Sequence, residues 1–305
     1  MAQDILFDME TSDPDDALTL CLLATHPAVA LRAVTVTPGT LAQVGMVRHL
    51  LARAGRSDVP VGARNPAAEK ESLSAFHTQW LGQLPPSTPD ALAHEVLALV
   101  LGRFPEATLL TGAPLQNLRL LLELHPDIKL HRWVAQGGFA GDNVVPPEHR
   151  LPKFEGRRTC PTFNFNGDPK GALLALSSDR VGRRELVSKN VTHGLAYDGP
   201  FHERMRPYAS TTPGLGLIFE AMERYLAQRP EGKLLHDPIA ACAAIDPEII
   251  TWAEVEMVRQ RGEWGAELAQ GTHTFISVAL DSERFFQTLV GIGAATKNNR
   301  GACQG

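Results

Sequence analysis

The amino-acid sequence predicts a single α/β domain with a central, mostly parallel, Rossmann-like open sheet flanked by helices. Three observations lead there. Short apolar runs alternate with segments of helical spacing from the first residues onward. With 44% hydrophobic and 21% charged residues over 305 positions, the chain has the balance of a soluble globular protein that buries a large core. The densest polar signal follows the first apolar run, at the strand end where open α/β sheets bind ligands.

Residues 5–7, Ile-Leu-Phe, form a short apolar strand that stops at acidic residues. Residues 15–23 have helical spacing and end at His26-Pro27. The alternation continues with a strand over 31–37, a helix over 43–54, a short strand over 59–61 and a helix over 91–103. A strand over 108–110, a helix over 114–124, a strand over 133–135 running into Gly137-Gly138 and a helix over 170–176 follow. Residues 141–161 hold Pro146, Pro147, Pro152 and Pro161 with little apolar periodicity, which predicts a long loop of the functional kind. Helices over 215–228 and 238–244 and strands over 255–258 and 274–279 extend the same sheet. The domain is expected to span 1–294, with 295–305 a polar, flexible tail.

The net charge of −5 comes from 34 acidic and 29 basic residues spread along the chain, so no basic face for nucleic acid is evident. Cys21, Cys160, Cys242 and Cys303 lie far apart, without zinc spacing, and read as reduced thiols of a cytoplasmic protein. No basic leader and no apolar run of roughly 18 residues is present, so neither export nor a membrane partner is expected.

Asp8, Glu10, Asp13, Asp15 and Asp16 place five carboxylates within nine residues. Packed in one loop they repel each other, and a bound cation relieves that, with oxygen ligands favouring calcium or magnesium over zinc. The alternative is a solvated acidic loop in which Asp13 caps the following helix. His236-Asp237-Pro238 at a helix start and Thr111-Gly112 at a strand end are each ordinary punctuation when taken alone.

Together these segments resemble the inosine-uridine nucleoside hydrolases. Asp8-x-Glu10 with Asp15-Asp16, Thr111-Gly112-x-Pro114-Leu115-x-Asn117, Gly137-Gly138 with Asn143, and Phe163-Asn164 with Asp168-Pro169 are similar to the family's motifs. So are Asn190-Val191-Thr192-His193, similar to a strand, and the late His236-Asp237-Pro238, all in the family's order. The resemblance implies a calcium ion held by Glu10, Asp16, the Thr111 main-chain carbonyl and Asp237. It implies that Asp15 grips the ribose 2′ and 3′ hydroxyls, that Asn143 and Asn164 complete the sugar site, and that His236 lies beside the leaving base. His77 lies where the family carries a histidine-glycine loop near the substrate, and a packing role for it is equally open.

The departures fall on the sugar side. Glu10 replaces the family's Asp, and one extra residue separates it from Asp15-Asp16, so either Glu10 or Asp13 is the candidate general base. Thr40 and Thr162 stand where the family carries Asn and Glu, and Glu148 or Glu155 is a candidate replacement for the missing carboxylate. The implied activity is calcium-dependent hydrolysis of a ribonucleoside N-glycosidic bond, giving free base and ribose, by a homodimer or homotetramer. With no glycine-rich phosphate cradle followed by lysine, the expected substrate is an unphosphorylated nucleoside. Two other readings stay open: a haloacid-dehalogenase-type phosphatase using Asp8 as nucleophile, and a ribosyl-binding member of the nucleoside-hydrolase fold without turnover.

Overall fold

The computed structural model describes residues 2–69 and 72–292; the expected tail, the domain end at 294 and Cys303 lie outside the described residues. Thirteen strands are present among them: β1 (Gln3–Met9), β2 (Val29–Val36), β3 (Val61–Ala63), β4 (Ala91–Leu92), β5 (Thr108–Thr111), β6 (Leu130–Gln136), β7 (Thr159–Cys160), β8 (Val181–Val187), β9 (Ala196–Tyr197), β10 (Lys233–Leu234), β11 (Ile250–Gln260), β12 (Glu263–Leu268) and β13 (Thr274–Leu280). Eleven of them make one sheet in the order β4-β3-β2-β1-β5-β6-β8-β13-β11-β12-β7, and β9 and β10 pair separately.

From β4 to β13 every pairing is parallel, whereas β11, β12 and β7 add antiparallel at one edge. Parallel strands covered on both faces read as continuous apolar runs. In β1, Ile5, Phe7 and Met9 enter one core layer while Leu6 enters the other. Asp8, on the same face as Leu6, is fully buried, so its carboxylate needs internal partners. Thr35 Oγ1 and Asn117 Nδ2 each donate to Asp8 Oδ1 at 2.7 Å.

Several elements depart from expectation. β8 is a strand that apolar periodicity does not reveal, because Arg183, Arg184 and Glu185 interrupt it. Each charge has an internal partner: Glu185, 1% exposed, accepts from Arg132 Nε at 2.8 Å and from Arg183 Nε at 2.6 Å, and Arg184 Nε donates to the Ala175 carbonyl at 3.0 Å. β12 was likewise not anticipated, and residues 91–92 form a strand ahead of the Ala93–Arg103 helix. Asn190 to Thr192 lie in the one-turn Lys189–Thr192 helix rather than a strand. The expected long loop holds two short 3-10 turns, Pro147–His149 and Pro152–Phe154, and β7.

The His236–Ile245 helix is buried from Asp237 to Ile245, as its apolarity on all sides requires. Arg132 fixes its far end by donating to the carbonyls of Ala244 at 2.7 Å and Ala243 at 3.1 Å. A cation there also complements the negative end of the helix dipole. Arg132→Met removes both these bonds and the main partner of buried Glu185, and is expected to destabilise the protein by about 3 kcal/mol, read from urea unfolding. An unfolding midpoint equal to wild type would show that Arg132 carries no such role.

Candidate active site

Two helix N-termini meet at the carboxyl edge of the sheet. The Pro14–Thr25 helix opens with Asp13 as N-cap and Pro14 in its first turn, where a missing amide costs nothing. Its first turn carries Asp15 and Asp16, and the first turn of the His236–Ile245 helix carries Asp237. Carboxylates are favoured at this positive end of a helix. Asp15, Asp16 and Asp237 are all buried and offer oxygens within 4.8 Å of one another. Asp15 Oδ2 also accepts from the backbone amides of His236 at 3.1 Å and Asp237 at 3.3 Å, so it caps the second helix from 222 residues away in sequence.

Burial, then Asp237 and Glu10, push the Asp16 carboxyl well above its ordinary value. Burial, then Asp15 and Asp13, do the same to Asp237. Asp15 is raised to about 7 by burial against the opposing charge of Lys233. A cluster of this kind is stable as charged groups only with a cation beside it. Two observations show that the residues fit one. Asp237 Oδ1 is buried with no hydrogen-bond partner. Gly112, which follows Thr111 at the end of β5, leaves the needed room, since a Cβ there would stand 2.7 Å from Asp237 Oδ1 and 3.1 Å from Asp16 Oδ1. The donors are all oxygens, which suits a hard cation.

The cluster lines a cavity of about 330 Å³ that also takes in Glu10, Asp13, Gln136, Thr162, Asn164, Lys189, His193 and His236. Glu10 Oε2 accepts from the Ser12 amide, and the Glu10 amide donates to Asp16 Oδ1 at 3.0 Å. Asp15 rather than Glu10 therefore completes the close carboxylate triad. The Glu10 carboxyl is raised by burial, which outweighs the Ser12 hydrogen bonds. Thr111 is fully buried, with Oγ1 accepting from Trp133 Nε1 at 3.0 Å. Asn164 Nδ2 donates to the Gly112 and Gln136 carbonyls at 3.0 Å each, while Asn164 Oδ1 and Thr162 Oγ1 are buried without partners.

Lys233 was not singled out by sequence. On β10, with its side chain 7% exposed, it lies 2.9 Å from Asp13 Oδ1 and 3.6 Å from Asp15 Oδ1. Burial opposes its charge, but Asp15 and Asp13 outweigh burial and raise its pKa. Asp13 is in turn held below its ordinary value: burial works the other way and loses to the Asp15 amide and Lys233. His236 Nδ1 is 3.7 Å from Asp15 Oδ2, and its ring lies 5.0 Å from that of His193. Burial, then Lys233, drives the His236 pKa down to about 3, so the ring is neutral.

Three expected sugar-site residues stand elsewhere. Asn143 Nδ2 donates to the Ala266 carbonyl at 2.7 Å on β12, and Asn143 does not line the cavity. Thr40 is the N-cap of the Leu41–Arg53 helix in a capping box with Gln43. His77 Nδ1 pairs with Ser74 Oγ at 3.0 Å, and the ring faces an apolar pocket beside Met46 and Leu81. Glu148 and Glu155 are exposed outside the cavity and do not replace the missing carboxylate. Asp8 is sealed behind the strand by Thr35 and Asn117, which removes it as a phosphatase nucleophile. Trp80 and Trp264 are buried and free of either cavity. A second cleft of about 530 Å³ shares Ser12, Asp13 and His236 with the first and adds Phe76, Gln79, Tyr225 and Gln228.

The same fold recurs in nucleoside hydrolases of solved structure. A plant nucleoside hydrolase superposes with a TM-score of 0.72 at 20% identity, covering 97% of this chain and 100% of that one. An inosine-uridine preferring nucleoside hydrolase from Bacillus anthracis gives 0.70 at 18% identity, covering 95% and 99%. The family model of inosine-uridine preferring nucleoside hydrolases matches residues 5–287, and the chain belongs to this family of N-glycosyl hydrolases. A protein of Aquifex aeolicus is 30% identical over 92% of this chain and 95% of its own length. The pyrimidine-specific ribonucleoside hydrolase RihA of Citrobacter koseri is 26% identical over 90% and 86%.

Gly112→Ala puts a methyl group where the carboxylates meet. It is expected to weaken binding of a divalent cation about 10–100-fold, measured by calorimetry, with unchanged far-ultraviolet circular dichroism. Full retention of ion binding would show that Asp16 and Asp237 do not form the ion site.

Proposed function

We propose that the protein hydrolyses the N-glycosidic bond of a ribonucleoside in a calcium-dependent reaction, releasing free base and ribose. The observation that carries this is the joining of Asp15, Asp16 and Asp237 at the sheet edge, with an unpartnered oxygen and a glycine-made gap between them. Asp16, Asp237 and the Thr111 carbonyl would hold the ion, with Glu10 anchored beside Asp16 by its amide's bond to Oδ1. When bound, calcium supplies a Lewis-acidic centre that lowers the pKa of water and attracts sugar hydroxyls.

The chain's own groups have separable tasks in this reading. Asp15 accepts from the ribose 2′ and 3′ hydroxyls, and Asn164 offers an unpartnered oxygen to the rest of the sugar. Glu10 is the general base, because Asp13 is committed to its ion pair with Lys233 and to the helix cap. The ring of carboxylates stabilises the oxocarbenium-like ribosyl cation as the glycosidic bond breaks. The base then occupies the adjoining cleft, where His236 Nε2, buried and without a partner, can hydrogen-bond it as electrons move onto its nitrogen.

Asp16→Ala is expected to abolish ion binding and turnover together, and chelation of the wild-type protein should do the same to activity. Hydrolysis that survives chelation in full would overturn the metal requirement. Asp15→Ala should keep the ion and lower kcat/KM for ribonucleosides about 10- to 100-fold, the scale of a hydrogen bond to a charged group. A panel of inosine, uridine, adenosine, cytidine and nicotinamide riboside, followed by release of base and reducing sugar, tests the activity itself. Calcium binding without hydrolysis of any member would sink the reading.

A further inference from the structure

We infer that the cavity has a second, cationic end that takes an anionic group carried by the ribosyl substrate, so that an anionic N-glycoside is preferred over its neutral counterpart. The inference rests on the nucleosidase reading and names the substrate class within it. Four neighbouring strands, β1, β5, β6 and β8, deliver Glu10, Gly112, Gln136 and Lys189 to the same cavity. Three strand spacings separate β1 from β8, roughly 14 Å along the sheet edge. Of the carboxylates that line the cavity, Glu10, Asp13, Asp15 and Asp16 follow β1, and Asp237 opens the His236–Ile245 helix. The β8 end carries none.

What stands there instead is Lys189, whose Nζ donates to the Pro161 carbonyl at 2.9 Å and has no carboxylate partner among the described residues. Lys153, exposed on the long loop outside the cavity lining, holds its Nζ 2.7 Å from His193 Nδ1, likewise with no carboxylate partner among the described residues. His193 lines the cavity beside Lys189. Thr162 is 2% exposed, lines the cavity next to them, and its Oγ1 has no partner. A cavity-lining ammonium without a counter-charge, backed by a second one at His193 and beside an unused hydroxyl, is complementary to a phosphate or carboxylate. The sequence expectation of an unphosphorylated substrate looked for a glycine-rich cradle, whereas this wall would hold an anion through side chains.

Two sources of negative charge fit: a 5′-phosphate and an acidic base. Uridine, uridine 5′-monophosphate and orotidine separate them with one ribosyl core. With the calcium-loaded protein, kcat/KM for one of the two anions is expected to exceed that for uridine by about tenfold, the scale of one charge-assisted hydrogen bond. Lys189→Met should reduce that ratio about tenfold, and Thr162→Glu should invert it by placing a carboxylate against the anion. Thr162→Glu also covers the case in which the lysine variant does not fold. Hydrolysis of uridine with no anion preferred, or a preference unchanged in both variants, overturns the cationic end and leaves the nucleosidase reading in place. If none of the three is hydrolysed, the nucleosidase reading rests on the wider nucleoside panel, and calorimetric binding decides the cationic end: uridine 5′-monophosphate and orotidine binding no tighter than uridine refutes it, and tighter binding lost in Lys189→Met upholds it.

Discussion

The constraint on which the structure turns is the burial of three carboxylates within 4.8 Å of one another. Taking one ionised carboxylate from water is costly, and placing two more beside it adds repulsion that a low-dielectric interior does not screen. Much of the surrounding architecture reads as a response. Two helices point their positive ends at the cluster, the Asp15 side chain caps the second of them, and Lys233 balances Asp13 and Asp15 from the side. These devices leave Asp16 and Asp237 uncompensated, and that remainder is what a cation would neutralise.

The site therefore depends on groups that never touch it. Asp237 is only as well placed as the buried helix that carries it, and Arg132 ties the far end of that helix to β6 and, through Glu185, to β8. Asp8 plays a matching part beneath the acidic loop. Its carboxylate, raised to about 7 by burial against the Asn117 and Thr35 hydrogen bonds, joins β1 to β2 and to the Gln116–Leu124 helix. The strand ends that bear Glu10, Gly112 and Gln136 are held in register by parallel pairing, so a shift in one strand would displace one wall of the cavity.

How much of this the sequence disclosed follows from the range of each signal. The alternation of strands and helices is local, and it foretold the parallel half of the sheet. β8 escaped because Arg183, Arg184 and Glu185 break the apolar pattern, and the pairing of Glu185 with Arg132 and Arg183 appears only in three dimensions. Asp16 and Asp237 were legible through motif resemblance, although nothing local in His236-Asp237-Pro238 distinguishes a helix start from a site. Motif likeness failed to foresee the placement of Asn143 and Thr40, since it transfers residue type without the bonds that hold the side chain. Lys233 and Lys189 belong to no motif, and a lysine's reach along its flexible stem is not written in its neighbours.

The substitution of Glu for Asp at position 10 and the extra residue after it are best understood as one change. Lengthening the loop between β1 and the Pro14–Thr25 helix moves the strand end away from the helix start. The Glu10 backbone stays anchored by its amide to Asp16 Oδ1, while the longer side chain folds back to accept from Ser12. The inserted length leaves Asp13 free to cap the helix and meet Lys233. Capping and ion pairing thus fall to Asp13, the ribose contact in our reading to Asp15, and the close contact with Asp237 to Asp16. Unlike Asp13, Asp15, Asp16 and Asp237, Glu10 has neither an ion pair nor a place in the triad, and its side chain is one methylene longer than that of an aspartate at the same position. A carboxylate that lines the cavity and is committed to neither an ion pair nor the triad is suited to taking a proton from water, so the departure from the family pattern accords with the general-base role in our reading.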